Sequence, residues 1–252
     1  MSSTATETAH DAHHFHDDQA WHLAHHFETP HQQFDSGKLG TWLFLVTEVL
    51  FFSGLFVAYG VYRMTRPELF TYASGYLDTK MGAINTVVLI FSSLTAAWAV
   101  RCAQLGNRKG LTINIVLTLM CAAGFMVIKY LEYSHKIHIG LFPGAPAEPG
   151  QESMWNFNPE WAPGEKVHFA DDPNAPALHD LKNFFGVYFC MTGLHGIHVM
   201  VGMGLWIWML IRNLKGQFGP KFYGPVDFVA LYWHIVDIIW IFLFPLLYLI
   251  RH

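Results

Sequence analysis

Five stretches of the chain are apolar over about 20 residues or more, the length a helix needs to cross a hydrocarbon core. They run from about Leu39 to Tyr62, Gly82 to Leu105, Leu111 to Tyr133, Phe184 to Ile211 and Val226 to Ile250. The fourth is long enough to tilt. Polar, turn-forming segments separate them. Asn107-Arg108-Lys109-Gly110 reads as a tight turn between the second and third. Residues 213–225 place Gly216, Gly219, Pro220, Gly224 and Pro225 between the fourth and fifth. The pattern predicts an all-α fold, a polytopic membrane bundle of five transmembrane helices, without internal repeats.

Two segments fall outside this pattern. Residues 1–36 form a polar tail that carries eight of the sixteen histidines. Within it, Trp21 to Phe27 could pack as a short amphipathic helix at the membrane surface. Residues 138–182 form a long loop rich in Pro, Gly and acids, between the third and fourth apolar stretches. The chain therefore divides into a tail over 1–36 and a membrane domain over 37–252. The tail has no basic start followed by an apolar run, so the first membrane helix is expected to act as its own insertion signal.

Composition supports lipid as the solvent. Of 252 residues, 52% are hydrophobic and 13% charged, against about 25% charged in soluble domains. Aromatic residues make up 16%, which suits bilayer interfaces and helix packing. The net charge of −4 and the lack of a long basic run exclude nucleic acid as a partner. Cys102, Cys121 and Cys190 each lie in or at the end of an apolar stretch and read as buried thiols, not as a disulfide framework. The histidine-rich tail reads as a solvated, pH-sensitive segment rather than a metal tract. Five spans put the termini on opposite sides. Lys129 within the third span aside, lysine and arginine divide seven against seven between the sides; discounting Lys166, in the long loop, gives a slight preference for an inner N-terminus.

Ionisable residues at membrane depth cost at least about 2.5–3.5 kcal/mol each, so each needs a reason. Glu48 lies about nine residues into the first span, as a protonatable site, a lipid or partner anchor, or a neutral carboxyl bonded to a neighbouring helix. Lys129 and Glu132 share a face at i,i+3 and read as an ion pair near a helix end. His195 and His198, also i,i+3, read as hydrogen-bonded packing histidines sharing one face. Gly193, Gly196, Gly202 and Gly204 around them suggest close helix approach. His234 and Asp237 are again i,i+3, satisfied within the pair or against a neighbour. Trp233, Asp237 and Trp240 form one stripe. Two further functions remain open: a membrane metalloenzyme or di-haem cytochrome using His195, His198 and His234, and a proton channel or transporter using Glu48 and the His–Asp pair. The second lacks the Pro-interrupted helices of transporters.

These motifs resemble one family, subunit III of the haem–copper respiratory oxidases, in its five-helix bacterial form. Tyr232-Trp233-His234-Ile-Val-Asp237-Ile-Ile-Trp240 resembles its last-helix motif. Thr192-Gly193-Leu-His195-Gly196-Ile-His198-Val is similar to its Thr-Gly-Phe-His-Gly-Leu-His-Val. Thr47-Glu48-Val-Leu-Phe-Phe resembles its Ser-Glu-Val-Leu-Phe-Phe, Asn85-Thr86 with Ser92-Ser93 its Asn-Thr…Ser segment, and Glu132-Tyr133 its Glu-Tyr pair. The matches occur in order over residues 39 to 251.

The resemblance implies an accessory subunit of a proton-pumping terminal oxidase, with no haem or copper of its own. Its principal partner would be subunit I, which reduces oxygen; subunit II, small subunits and membrane lipids would be further neighbours. It implies stabilisation of subunit I, bound phospholipid in a cleft, and support of proton or oxygen access. Glu48 would be the carboxylate of that cleft. Lys129, Glu132, His195, His198, His234 and Asp237 would tie the bundle together. Location would be the bacterial inner (cytoplasmic) membrane, N-terminus cytoplasmic and C-terminus periplasmic. The acidic 138–182 loop would then face a basic donor, which favours cytochrome c, alone or in a larger respiratory supercomplex, over quinol. Lys129 departs from some relatives that have Gln there. Two helices of the longer, seven-span form are missing.

Overall fold

A computed structural model describes residues 24, 27–75, 77–138 and 178–250. Among them are six helices: α1 Pro30–Thr65, α2 Pro67–Ser74, α3 Thr79–Gln104, α4 Arg108–His138, α5 Leu178–Leu214 and α6 Gly224–Tyr248. All but α2 are long and apolar enough to cross a membrane. The five apolar stretches thus each coincide with one helix, and the all-α polytopic bundle is what the chain forms.

Most helix ends lie further out than the apolar pattern, the C-terminal ends of α3 and α6 excepted. α1 starts at Pro30 because Thr29 caps it, its Oγ1 accepting from the Gln32 N–H at 3.2 Å, with proline at the first helical position, where a missing N–H costs nothing. Residues 30–36 are therefore helix and not tail. α5 begins at Leu178, so residues 178–182 are helix and not loop. The helix expected over Trp21 to Phe27 lies, apart from Ala24 and Phe27, outside the described residues, as does most of the acidic loop.

α2 escapes the apolar pattern because eight residues cannot span a bilayer. Its signals are local: Pro67 at the helix start and Glu68 in the first turn, where an acid complements the helix dipole. Its buried Leu69, Phe70 and Ala73 join the core, with Phe70 edge-on to Tyr59 and Phe184. Asp78 then caps α3, accepting from the N–H of Lys80 and Met81.

α3 packs against α4, α4 against α5, α5 against α6 and α6 against α3, so these four enclose one core. α6 is the most enclosed span, with half of its membrane window buried. α1 lies outside, touching α6 and α5. Its opposite face leaves Leu43, Leu50 and Val57 more than three-fifths exposed, a face fit for lipid or a partner. The α3–α4 turn needs Gly106 at φ +71°, a backbone region glycine enters without strain.

Glycine approach differs from the sequence expectation. At Gly196 a Cβ would meet no atom within 4 Å, and at Gly193 only the Tyr133 hydroxyl at 4.0 Å. Gly204 is likewise open. The close approach falls at Gly202, where a Cβ would lie 2.6 Å from the Trp233 indole, and at Gly82, 2.8 Å from Phe244. Spacing alone does not show which glycine of a helix faces the neighbouring ring. Gly202→Ala is expected to push the fully buried Trp233 off its site and destabilise by ~1–3 kcal/mol; Gly196→Ala, facing open space, should be near neutral. Thermal denaturation of the two variants compares them directly.

The cysteines are free, but only Cys102 is buried. Cys121 is half-buried and Cys190 exposed, so the expectation of three buried thiols fails at Cys190, whose helix turns that face outward.

Candidate functional site

The ionisable residues of the spans gather into separate clusters. At the C-terminal end of α4, Glu132 accepts from Lys129 at 2.7 Å through Oε2. Through Oε1 it accepts from Lys136 at 2.6 Å, Tyr248 at 2.7 Å and Tyr188 at 2.9 Å. Lys129 also donates to Tyr248 and Lys136 to Tyr188. All five side chains are buried. The ammonium groups lie over aromatic faces: Lys129 is 4.5 Å from the Trp240 ring centre and Lys136 is 4.2 Å from that of Tyr188, contacts worth more when desolvated. The Lys129–Glu132 pair read from the sequence is therefore real, but it is one part of a five-residue network joining α4, α5 and α6. Lys136, which counts as a flanking charge in the sequence, is 2% exposed. Its one signal is the i,i+4 spacing from Glu132. Tyr188 and Tyr248 carry no signal, since tyrosine is common at membrane interfaces.

The second cluster joins α1 to α5. His198 Nε2 lies 2.8 Å from Glu48 Oε2, and its Nδ1 lies 2.7 Å from the Leu194 carbonyl. The second distance assigns the Nδ1 proton to that carbonyl. The Phe52 ring packs edge-on to the imidazole. Glu48 and His198 are each 18% exposed, so the pair sits at the edge of the bundle. His195 and His198 do not share surroundings. His195 turns inward, its ring 5.1 Å from Trp240 and 5.6 Å from Phe125. Neither of its nitrogens has a hydrogen-bond partner among the described residues, which departs from the expected hydrogen-bonded histidine: aromatic rings lie beside it instead.

The third cluster joins α3 to α6. His234 Nδ1 lies 2.8 Å from the Ser93 hydroxyl, and Asp237 Oδ2 is 3.4 Å from that of Ser92. Trp233 Nε1 donates to Ser92 at 3.0 Å and Trp240 Nε1 to Thr86 at 3.1 Å. His234 and Asp237 therefore engage the neighbouring helix and not each other. The tryptophan stripe read from the sequence is the edge of α6 that docks on α3, and the Ser92-Ser93 and Asn85-Thr86 segments supply the facing hydroxyls.

No group of three His, Cys, Asp or Glu side chains converges among the described residues. His195, His198 and His234 face three different environments. A groove of about 670 Å³ runs between α1 and the α5–α6 pair, floored by Gly37, Gly40 and Phe44 on one side and Val201 and Tyr232 on the other, with His198 also in its wall.

The arrangement of five spans, fastened by polar contacts that match the motifs above, agrees with comparison to known proteins. The family model for cytochrome c oxidase subunit III matches residues 18–139 and 177–251. The chain belongs to the cytochrome c oxidase subunit III family. A probable cytochrome c oxidase subunit 3 of Nocardia farcinica is 29% identical over 214 residues, covering 85% of this chain and 88% of that one. The quinol oxidase subunit 3 of Bacillus spizizenii is 28% identical over 225 residues, covering 86% and 90%. The cytochrome c oxidase subunit 3 of Loxodonta africana is 28% identical over 223 residues, covering 85% of this chain and 69% of its own. The chain is thus a membrane-embedded subunit III of a terminal oxidase and a component of a multi-subunit oxidase complex. The internal stretch without a family match, residues 140–176, is most of the acidic loop. In this subunit III, α1 is held to the rest at mid-span by the Glu48–His198 bond.

Proposed function

We propose that this subunit III is a non-redox stabiliser of the oxygen-reducing subunit I, that it holds phospholipid, and that haem and copper reside in partner subunits. The observation that carries the lipid reading is the apolar groove beside α1, with His198, the partner of Glu48, in its wall. An acyl chain fits such a surface, since apolar walls with one polar anchor are the usual make-up of a ligand groove. Glu48 and His198 hold α1 against α5 and so keep the groove's width. Subunit I is the proposed neighbour of the exposed α1 face, with subunit II and small subunits in the same complex. The N-terminus is proposed to face the cytoplasm and the C-terminus the periplasm, on the slight charge asymmetry, with the complex proposed to lie in a bacterial inner membrane. Cytochrome c is the proposed donor to the complex, on the acidic character of residues 138–182. The quinol oxidase name carried by one relative supports quinol as the second reading.

The test is a pair of substitutions at Glu48. Glu48→Gln keeps a hydrogen-bonding group opposite His198 and is expected to leave phospholipid content and sustained turnover near the wild type. Glu48→Ala leaves His198 Nε2 without its partner, a loss of about 1–3 kcal/mol. The complex should then retain less phospholipid by mass spectrometry and lose activity faster during turnover. Unchanged lipid content and lifetime in Glu48→Ala would rule out the groove as the functional element.

A further inference from the structure

Five buried side chains carry polar atoms with no partner among the described residues, Asn85, His195, Trp206, Asn213 and Asp237. Of these, Asn85, His195 and Asp237 stand on three different helices. Asn85 on α3 is fully buried, and neither its Oδ1 nor its Nδ2 has a partner. His195 on α5 is equally buried with both ring nitrogens unpartnered. Asp237 on α6 has Oδ1 in the same condition. Its Oδ2 has the Ser92 hydroxyl at 3.4 Å, but that hydroxyl also lies 2.7 Å from the Leu89 carbonyl. A serine has one proton to give, and the nearer carbonyl holds it. The Ser92 oxygen can still accept from a protonated Asp237, so it is Oδ1 that has no partner among the described residues.

One indole, that of Trp240, marks the level at which these groups lie. The His195 ring lies 5.1 Å from that of Trp240. Trp240 Nε1 donates to Thr86, the residue after Asn85. Asp237 stands three residues before Trp240, on a neighbouring position of the same helix. Gly82, three residues before Asn85, faces Phe244 and Tyr248, so the α3 face that bears Asn85 is turned to α6. Three helices thus bring five unsatisfied atoms into the layer around Trp240.

Buried polar atoms are satisfied in all but a few cases, so five together call for a ligand. The set is mixed. The Asn85 amide donates and accepts, a neutral imidazole does both, and Asp237 is acidic. A bound anion would meet the Asp237 carboxylate, and a hard cation would need several oxygen ligands where two of the three side chains offer at most one oxygen. Water both donates and accepts, and buried water typically makes about three hydrogen bonds. Ordered water is also a recognised way of satisfying polar groups inside membrane bundles. We infer that the layer around Trp240 is an internal water site, with water bridging Asn85 and His195 and, one turn along α6, completing the bonding of Asp237 Oδ1. The site would tie α5 to the α3–α6 pair, which the Trp240–Thr86 bond already joins.

The test uses the assembled oxidase complex, imaged by electron cryomicroscopy at a resolution that shows water. Density is expected about 2.7–3.2 Å from the side-chain polar atoms of Asn85 and His195 and from Asp237 Oδ1. Protein groups bonded directly to these atoms, or no density beside them, would overturn the inference. A thermodynamic cycle gives a second readout. Asn85→Leu and His195→Phe each deprive the shared water of a partner and leave the other residue orphaned. The double variant should therefore lower Tm by less than the sum of the two single shifts. Strictly additive shifts would mean that nothing is shared. If the variants fail to assemble, the density of the unmodified complex still decides.

Discussion

Glu132→Ala is expected to be the most damaging single change in the bundle. Glu132 is the only acid among the five residues of its cluster and accepts from all four others. Removing it leaves two buried ammonium groups, Lys129 and Lys136, facing each other across two phenols. Breaking a buried ion pair from one side costs about 3–5 kcal/mol, because the remaining charge has no compensation. Here two charges are stranded, so the upper end of that range applies, and the variant subunit should be depleted from the purified complex. The same physics gives a control. The triple variant Lys129→Met, Glu132→Leu, Lys136→Met removes every charge while keeping volume, and buried ion networks replaced in this way are often neutral or stabilising. Tyr188 and Tyr248 would still bond each other at 3.0 Å. The triple variant should recover most of the assembly that Glu132→Ala loses. Quantifying subunit content by mass spectrometry beside the Tm of the complex reads both.

Trp240→Ala is expected to come close behind, at about 3–5 kcal/mol, the usual cost of deleting a buried tryptophan side chain. Trp240 is fully buried and links α6 to three other helices. It donates to Thr86 on α3, packs edge-on against Phe125 on α4, lies beside His195 on α5 and carries Lys129 over its face. Alanine would open a cavity at the centre of the four-helix core and uncover the Lys129 ammonium. Trp240→Phe keeps an aromatic face for Lys129 and loses the Thr86 bond with part of the packing volume, so its cost should be well below that of alanine. Equal Tm losses in the two variants would mean that neither the ring face nor its bulk matters.

Much of the bundle is legible in the amino-acid sequence. Spans appear directly because a hydrocarbon solvent demands long apolar runs. The Lys129–Glu132 pair is legible because both partners lie on one helix at i,i+3. Partnership between helices is not. Glu48 and His198 are 150 positions apart, and each read alone is ambiguous. His234 and Asp237 look like mutual partners by spacing, yet the serines of α3 take that place, because both side chains point across the interface instead of along their own helix. Lys136 is hidden by its position near the helix end, where a lysine normally snorkels to water. α2 is hidden by brevity, and the direction faced by each glycine by the absence of any side chain to betray it.

A non-redox subunit fastened to an oxygen-reducing partner should be recovered together with that partner. Affinity purification of the tagged chain from mildly solubilised membranes, with mass spectrometry and an optical spectrum, puts this to the test. Recovery of a haem–copper subunit I in near-equal amount is the expected result, with the haem signal lost when the chain is stripped from the complex. Recovery of the chain without an oxidase subunit, or with a haem spectrum that stays with the isolated chain, would contradict it.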